Sequence, residues 1–361
     1  MLWAIGEVQE KKLNKGQKRL KKYKARVETE GRVFQGFDAY QKVIDSGVDI
    51  VILTTTPVFR PQHLKACVVA GKHVFAEKPL AVDIPGMKSI EESAKLAKQK
   101  GLSIMTGFVY RYTKDTKTFY DEVSNGAIGK VISAYSTFLS GQVNPIPPSK
   151  YRPKTMSDLQ WCLPFWQNFV EMAGDSIVEQ SIHSVDKLNW VMGGEKPIAA
   201  IANGGRQNKL DGANIFDHFS VTYEYANGRR AFLASRQMKR VFNQTKDEVF
   251  GSNGYAVHGK GIYRGDKLVK EIKRIGLGYM DEHKIFMKYI RADKAFGDIL
   301  ESAAQSCYMA IMGRMAAYTG KRVTWEQMMN SKDNMLNIDD LSWSSDFKPR
   351  SVPNPGITPL I

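Results

Sequence analysis

The stretch VDIVILTTTPVFRPQHLKACVVAGKHVFAEKPLAVD, residues 48–83, decides the fold. VDIVIL is rich in β-branched residues and stops at TTTP (54–57). A helix is expected from Pro61 to Ala70, with proline in its first turn and Gly71 just past its end. KHVFA then reads as a short buried strand closed by Glu77-Lys78-Pro79; Asp83 can cap the following helix, which runs towards Gly101, and LSIMT (102–106) is the next strand. Two βαβ units in succession predict a parallel sheet with crossover helices. Open parallel sheets bind ligands at the carboxyl ends of their strands, which places Thr55, Thr56, Pro57, Glu77 and Lys78 where a dinucleotide would lie.

Beyond about residue 113 the pattern changes. One helix ends near Asn125-Gly126, a strand of about ten residues starts at Lys130, and a tryptophan- and proline-rich stretch covers Asn144 to Trp166. That stretch is long for a loop, and either an active-site cover or a structural wrap suits it. Residues 196–270 read as strands, with FSVTYEY (219–225) and RRAFLAS (229–235) joined through Asn227-Gly228 as a hairpin. A helix is expected over Ile299–Thr319, ended by Gly320, with Met309, Met312 and Met315 as core. The expected fold is therefore α/β: a Rossmann-type parallel-sheet domain over residues 1–112, an α+β domain with a large open, mainly antiparallel sheet over 113–340, and a tail over 341–361.

Composition narrows the class. With 361 residues, 43% hydrophobic and 25% charged, the chain has room for two domains and is neither disordered nor collagen-like. No apolar run approaches the roughly 20 residues that a membrane span needs, so no membrane partner is expected. Three scattered cysteines, Cys67, Cys162 and Cys307, make neither a disulfide framework nor a metal site, and a reducing, cytoplasmic setting is expected. The net charge is +15, but nine basic residues and no acid fall between Lys11 and Arg26. Leu13, Leu20 and Tyr23 punctuate that run at helical spacing, which reads as a solvated helix with one docked edge and not as a nucleic-acid site.

Two places can carry chemistry. Lys78 directly follows a buried strand and is fixed by Pro79; such a lysine can hydrogen-bond a substrate hydroxyl, and an exposed lysine in a tight turn is the plain alternative. GDSIVEQSIHSVDKLNWVMG (174–193) has the period of one helix, with Val178, Ile182, Val185, Leu188 and Met192 as its apolar stripe. Beside the stripe, Glu179, His183, Asp186 and Trp190 are spaced four, three and four apart and share a face. A carboxylate and an imidazole presented together suit a general base with a partner. The same residues have bland readings: Ser176-x-x-Glu179 is a capping-box pattern, and a helical histidine beside an apolar stripe is often core.

TTTPVFRPQHLKACVVAGKHVFAEKPLAVD (54–83), GFVYRY (107–112), GDSIVEQSIHSVDKLNW (174–190) and GRMAAYTGKRVTWEQMMNSK (313–332), in this order, resemble the glucose-fructose oxidoreductase, inositol dehydrogenase and rhizopine-catabolism (Gfo/Idh/MocA) family. The resemblance spans nearly the whole chain. It implies an N-terminal Rossmann domain that binds NAD, less readily NADP, and a second domain that binds a sugar or cyclitol and mediates homo-oligomerisation through its sheet. It implies Lys78 as catalytic lysine, His183 as acid/base and Glu179 as the carboxylate that positions them, where many relatives have Asp. Glu7, closing the strand-like LWAIGEV, falls where an acid binds the adenosine ribose. Trp166 and Arg111 are expected to offer a sugar an apolar face and a polar contact. The departure is that no GxGxxG precedes LWAIGEV. That strand would lie mid-sheet, so its loss is expected to leave a gap, and a native start further upstream, with room for an export signal, is the expectation here. The expected activity is hydride transfer between a secondary alcohol of a sugar, cyclitol or derivative and a nicotinamide. A redox-assisted glycosidase and a non-catalytic sugar-binding scaffold are the alternatives.

Overall fold

The structure, a computed structural model, describes residues 1–208, 212–339 and 341–361, the side chains of residues 24 and 25 excepted. Lys24 of the basic run therefore lies outside the described side chains. The N-terminal part alternates short strands and helices as the apolar pattern demands: β1 (Ile5–Glu7), α1 (Glu10–Leu20), β2 (Val33–Gln35), α2 (Ala39–Asp45), β3 (Ile50–Leu53), α3 (Arg60–Val69), β4 (His73–Ala76), α4 (Ile84–Gln99) and β5 (Ile104–Thr106). All pairings are parallel, but they form two sheets, β1-β2 and β3-β4-β5. Among the described residues no ladder joins β1 to β3. The expected gap lies there, and a cleft of about 960 Å³ lies against both strands, with Ile5, Gly6, Glu7 and Ile50 to Leu53 on its wall.

The second part runs α5 (Lys114–Ser124), β6 (Val131–Ser140), α6 (Asp158–Cys162), α7 (Val170–Ala173), α8 (Ser176–Glu179), α9 (Ile182–Val191), β7 (Ala199–Gly205), β8 (His218–Glu224), β9 (Arg230–Gln237), β10 (Gln244–Gly251), β11 (Gly254–Val257), β12 (Gly261–Arg264), β13 (Lys267–Glu271), α10 (Tyr279–Arg291), α11 (Ala304–Thr319), β14 (Val323–Thr324) and α12 (Trp325–Met329). Nine strands make one sheet in the order β13-β12-β11-β10-β6-β9-β8-β7-β14. Only β6 and β9 pair in parallel; the rest is antiparallel. The β8-β9 hairpin sits in the register that Asn227-Gly228 predicts, with Glu224 opposite Arg230 and Gly228 at φ +81°. Alternation along β9 buries Ala231, Leu233 and Ser235 and turns Phe232 outward, beside Tyr135 of β6. Helices α9 and α11 cover the inner face, and Met309 and Met312 are fully buried there.

The chain then returns to the first sheet. Phe286 of α10 packs on Phe75 and Met105, and Ile104 N–H donates to the Phe296 carbonyl at 2.7 Å. Asp298 fastens the junction: its carboxylate accepts from Tyr112 Oη and Thr106 Oγ1, both at 2.7 Å. Burial pushes this carboxyl up to about 6. The expected helix over 299–319 opens instead with a π-helical turn at Ile299–Ala303 before α11. In the basic run, α1 buries Leu13 and half-buries Leu20, whereas Tyr23 is 51% exposed and does not belong to the docked edge.

Asp83 caps α4 as its position suggests, Oδ1 accepting from Gly86 N–H at 2.8 Å. Its Oδ2 accepts from Met335 N–H at 2.9 Å, so one buried carboxylate ties the first domain to the C-terminal segment. Asp83→Ala removes the cap and strands a buried N–H, and a loss of about 2 kcal/mol is expected. Urea unfolding followed by tryptophan fluorescence measures it; an unchanged midpoint contradicts the assignment.

Candidate functional site

The segment 174–193 is two helices, not one. Gly174 takes φ +74°, Asp175 φ +75°, and the Asp175 side chain caps α8 by accepting from Ser176 N–H. The capping-box reading of Ser176 and Glu179 is thereby corrected: a residue one position earlier does the capping, which leaves the Glu179 carboxylate for other work. At Gln180 φ widens to −107° within the right-handed helical region, Ser181 N–H bonds back to the Ser176 carbonyl, and α9 begins two residues after Gln180. The carbonyl of Glu179 is thus a helix-terminal one, of the kind that needs a partner from outside its own helix.

Lys78 is that partner. Its Nζ donates to the Glu179 carbonyl at 2.5 Å and stands 3.7 Å from Glu179 Oε1, with the two side chains 13% and 10% exposed. The other carboxylate oxygen accepts from Gln180 Nε2. Of the pair that it was expected to position, Lys78 and His183, Glu179 holds Lys78, because the helix break turns its carboxylate towards the EKP turn. One domain supplies the ammonium and the other its acceptor.

His183, in the first turn of α9, is half-buried against two rings. Phe108 meets it edge-on at 6.2 Å and Tyr110 at 5.4 Å, and Nδ1 is buried without a hydrogen-bond partner. Burial, then the nearby ammonium groups of Lys78 and Lys187, hold the imidazole well below its usual pKa. The ring is therefore neutral over the physiological range and available as a proton acceptor. Among the described residues it has no carboxylate partner, contrary to the helical-face expectation.

Arg60 fastens the turns on which this arrangement stands. Its guanidinium is 2% exposed and donates to the Thr55 carbonyl at 2.5 Å and to the Pro79 carbonyl, bridging TTTP and EKP. Thr54, Thr55 and Thr56 line the cleft between β1 and β3, together with Glu7, Phe59, His63 and Trp166. Thr55 Oγ1 is 3.2 Å from His63 Nδ1, whose ring stacks on Tyr40 at 4.1 Å. Pro57 is buried behind the turn, and Glu77 Oε2 accepts from Lys78 N–H at 3.2 Å. Lys12 and Leu20 of α1 also reach the cleft, so the basic helix is not solely a solvated face.

A nicotinamide dinucleotide in such a fold needs an acid for the adenosine ribose, a strand-end turn for the nicotinamide side and a main-chain cradle for pyrophosphate. Glu7 at the end of β1, with Oε1 accepting from Gln9 N–H at 3.0 Å, and the threonine turn fit the two nucleoside ends. The glycines on the cleft wall, Gly6, Gly36 and Gly47, stand singly, so among the described residues no glycine-rich turn cradles the phosphates.

Two expected substrate contacts are corrected. Arg111 gives its guanidinium to Asp186, with Nε at 2.9 and 3.0 Å and Nη2 at 2.8 Å from the carboxylate oxygens, and lies 5.0 Å over Trp190; it is a packed ion pair. Asp186 is thereby drawn away from His183. Trp166 lines the cleft that Glu7 and the threonine turn also line. Sequence reading missed Arg60 and Tyr110. Both had signals, an arginine directly behind TTTPVF and an aromatic in GFVYRY, but neither spacing names the partner.

Comparison with known proteins agrees with this geometry. Residues 10–108 match the model of an oxidoreductase family with an NAD-binding Rossmann fold, and residues 117–257 match the GFO/IDH/MocA C-terminal domain. The chain is 24% identical over 258 residues to the myo-inositol 2-dehydrogenase of Thermotoga maritima, an alignment covering 70% of this chain and 66% of that protein. It is 24% identical over 181 residues to an NADP(+)-dependent scyllo-inositol 2-dehydrogenase of Bacillus subtilis, covering 50% and 44%. The chain thus spans less than two thirds of these relatives' lengths. The crystal structure of apo scyllo-inositol dehydrogenase from Lactobacillus casei superposes with a TM-score of 0.67 at 19% identity, over 90% of each chain. With both domain models matched in order over the two halves just described, the chain belongs to the Gfo/Idh/MocA family of oxidoreductases.

Proposed function

We propose that this protein is an NAD-dependent oxidoreductase that moves a hydride between a secondary alcohol of a cyclitol, sugar or sugar derivative and a nicotinamide. The observation that carries the reading is the Lys78–Glu179 contact beside a neutral, unpartnered His183, placed by Arg60 next to a cleft that fits both nucleoside ends of the cofactor. Relatives named as inositol dehydrogenases support the substrate class.

When bound, the nicotinamide supplies the hydride acceptor. The chain's own groups handle the proton. His183 accepts the hydroxyl proton as the C–H hydride departs, and Lys78 donates a hydrogen bond to the same oxygen, offsetting the negative charge that develops on it. Glu179 keeps the ammonium oriented through its carbonyl and carboxylate. Thr55, Thr56, Pro57 and Glu77 form the turns at the nicotinamide side, Glu7 takes the adenosine ribose, and Trp166 gives the cleft an apolar wall.

The same reading gives the second domain its oligomeric role. Its large sheet leaves Ile132, Tyr135, Ile201, Phe232 and Phe250 exposed on the face away from α9 and α11, and apolar surface of this kind suits pairing with a second copy.

Three measurements test these assignments. NADH titration should detect binding, and a panel of inositols and sugars should give NADH formation that His183→Ala and Lys78→Met lower by at least about 100-fold, with unchanged circular dichroism; no NADH binding, or full activity in either variant, overturns the reading. Glu7→Ala should weaken NAD binding by roughly tenfold and NADP binding far less, since a ribose-bound carboxylate contributes on the order of 1–2 kcal/mol and repels the added phosphate; equal loss removes Glu7 from the site. Phe232→Lys should lower the mass measured by light scattering, whereas an unchanged oligomer, or a native monomer, removes the sheet as an interface.

A further inference from the structure

His183 sits four residues before Lys187 on α9, and residues at that spacing lie above one another on one helix face. Lys187 is 1% exposed, an unusual place for an ammonium group. Its Nζ is 2.9 Å from Asp247 Oδ2 and 4.1 Å from the centre of the Tyr110 ring. The Tyr110 ring in turn meets the His183 ring edge-on at 5.4 Å and 73°. Asp247 is itself held: Oδ1 accepts from Ser136 Oγ at 2.5 Å, and Oδ2 lies 3.3 Å from His258 Nδ1. His258 Nε2 is 3.2 Å from Thr116 Oγ1 and 4.0 Å from Asp115 Oδ2. A hydroxyl and a second histidine thus fix the carboxylate that holds the ammonium.

We propose that Lys187 is a positioning residue of the reaction: a buried ammonium, clamped by Asp247 and packed on the same Tyr110 ring that meets His183, that keeps the catalytic imidazole in its neutral form. This rests on the catalytic reading of His183 given above. The charged and titratable groups around that ring are Lys78 from the turn after β4, Glu179 from α8, Tyr110 from the segment after β5, and Lys187 on its own helix. Glu179 is engaged by Lys78, and Asp186 by Arg111, so neither carboxylate is free to stabilise a protonated His183. A proton accepted from substrate is therefore held weakly on His183 and is released to solvent, which returns the base to its neutral form for each turnover. Burial and Lys78 act in the same direction, but Lys78 also serves the substrate oxygen; Lys187 alone has no other evident task in the site.

The test is a pH titration of the histidine rings by nitrogen-edited NMR on the full chain, with the His183 signal assigned through its loss in His183→Gln. Lys187→Met is expected to raise the His183 midpoint by about one pH unit or more, and Lys187→Arg to leave it near the native value. If Lys187→Met does not fold, Lys187→Met/Asp247→Asn removes both charges of the buried pair and should raise the midpoint in the same way. An unshifted midpoint in either charge-free variant overturns the proposal. The titration needs no turnover: a shifted midpoint in a protein without dehydrogenase activity keeps the inference about Lys187 and sinks the catalytic reading, and an unshifted one in an active protein does the reverse.

Discussion

Two main-chain carbonyls converge on one buried guanidinium, and the geometry of the whole site follows from that contact. Arg60 bonds the Thr55 and Pro79 carbonyls, each in the turn after a parallel strand. Its Nε has no partner, and burial pulls its pKa down to about 10, so the group is held at an electrostatic cost. The return is rigidity where it matters. Lys78 precedes Pro79 by one residue, so the position of its ammonium is set by the same staple that fixes the wall of the cleft.

Proton chemistry here differs from the arrangement that helical periodicity suggests. A carboxylate four residues before a histidine would stabilise an imidazolium if the helix were continuous. The break at Gln180 redirects Glu179 to Lys78, and the Arg111 guanidinium takes Asp186. What remains near His183 is positive charge and aromatic carbon. Such a base stays unprotonated but holds a proton poorly, which favours rapid exchange over storage.

The legible part of this molecule was the part governed by local rules. The strand-turn-helix grammar of residues 48–106, the Asp83 cap and the Asn227-Gly228 hairpin each depend on residues within a few positions of one another, and each appears in the structure. What escaped was long-range partner choice. Lys78 meets Glu179 across 101 residues, Arg111 meets Asp186 across 75, and Lys187 meets Asp247 across 60. Periodicity places a side chain on a face; it does not say which opposite charge from another element arrives first. The break within 174–193 was equally hidden, because its residues keep the helical pattern through the turn.

The division of the parallel sheet sets how the N-terminal lobe is held. β1 and β2 have three residues each and, among the described residues, no backbone ladder to β3, so their attachment runs through rings: Tyr40 on His63, and Phe37 against Phe59 and Trp343. A two-stranded ribbon of that length has little stability of its own. Side-chain packing also yields more gradually than a hydrogen-bonded ladder, which makes this lobe the natural unit of partial unfolding. Any molecule that fills the cleft touches both pieces and adds its binding free energy to their association. Ligand occupancy and the local folding equilibrium of the first 46 residues are thereby thermodynamically linked.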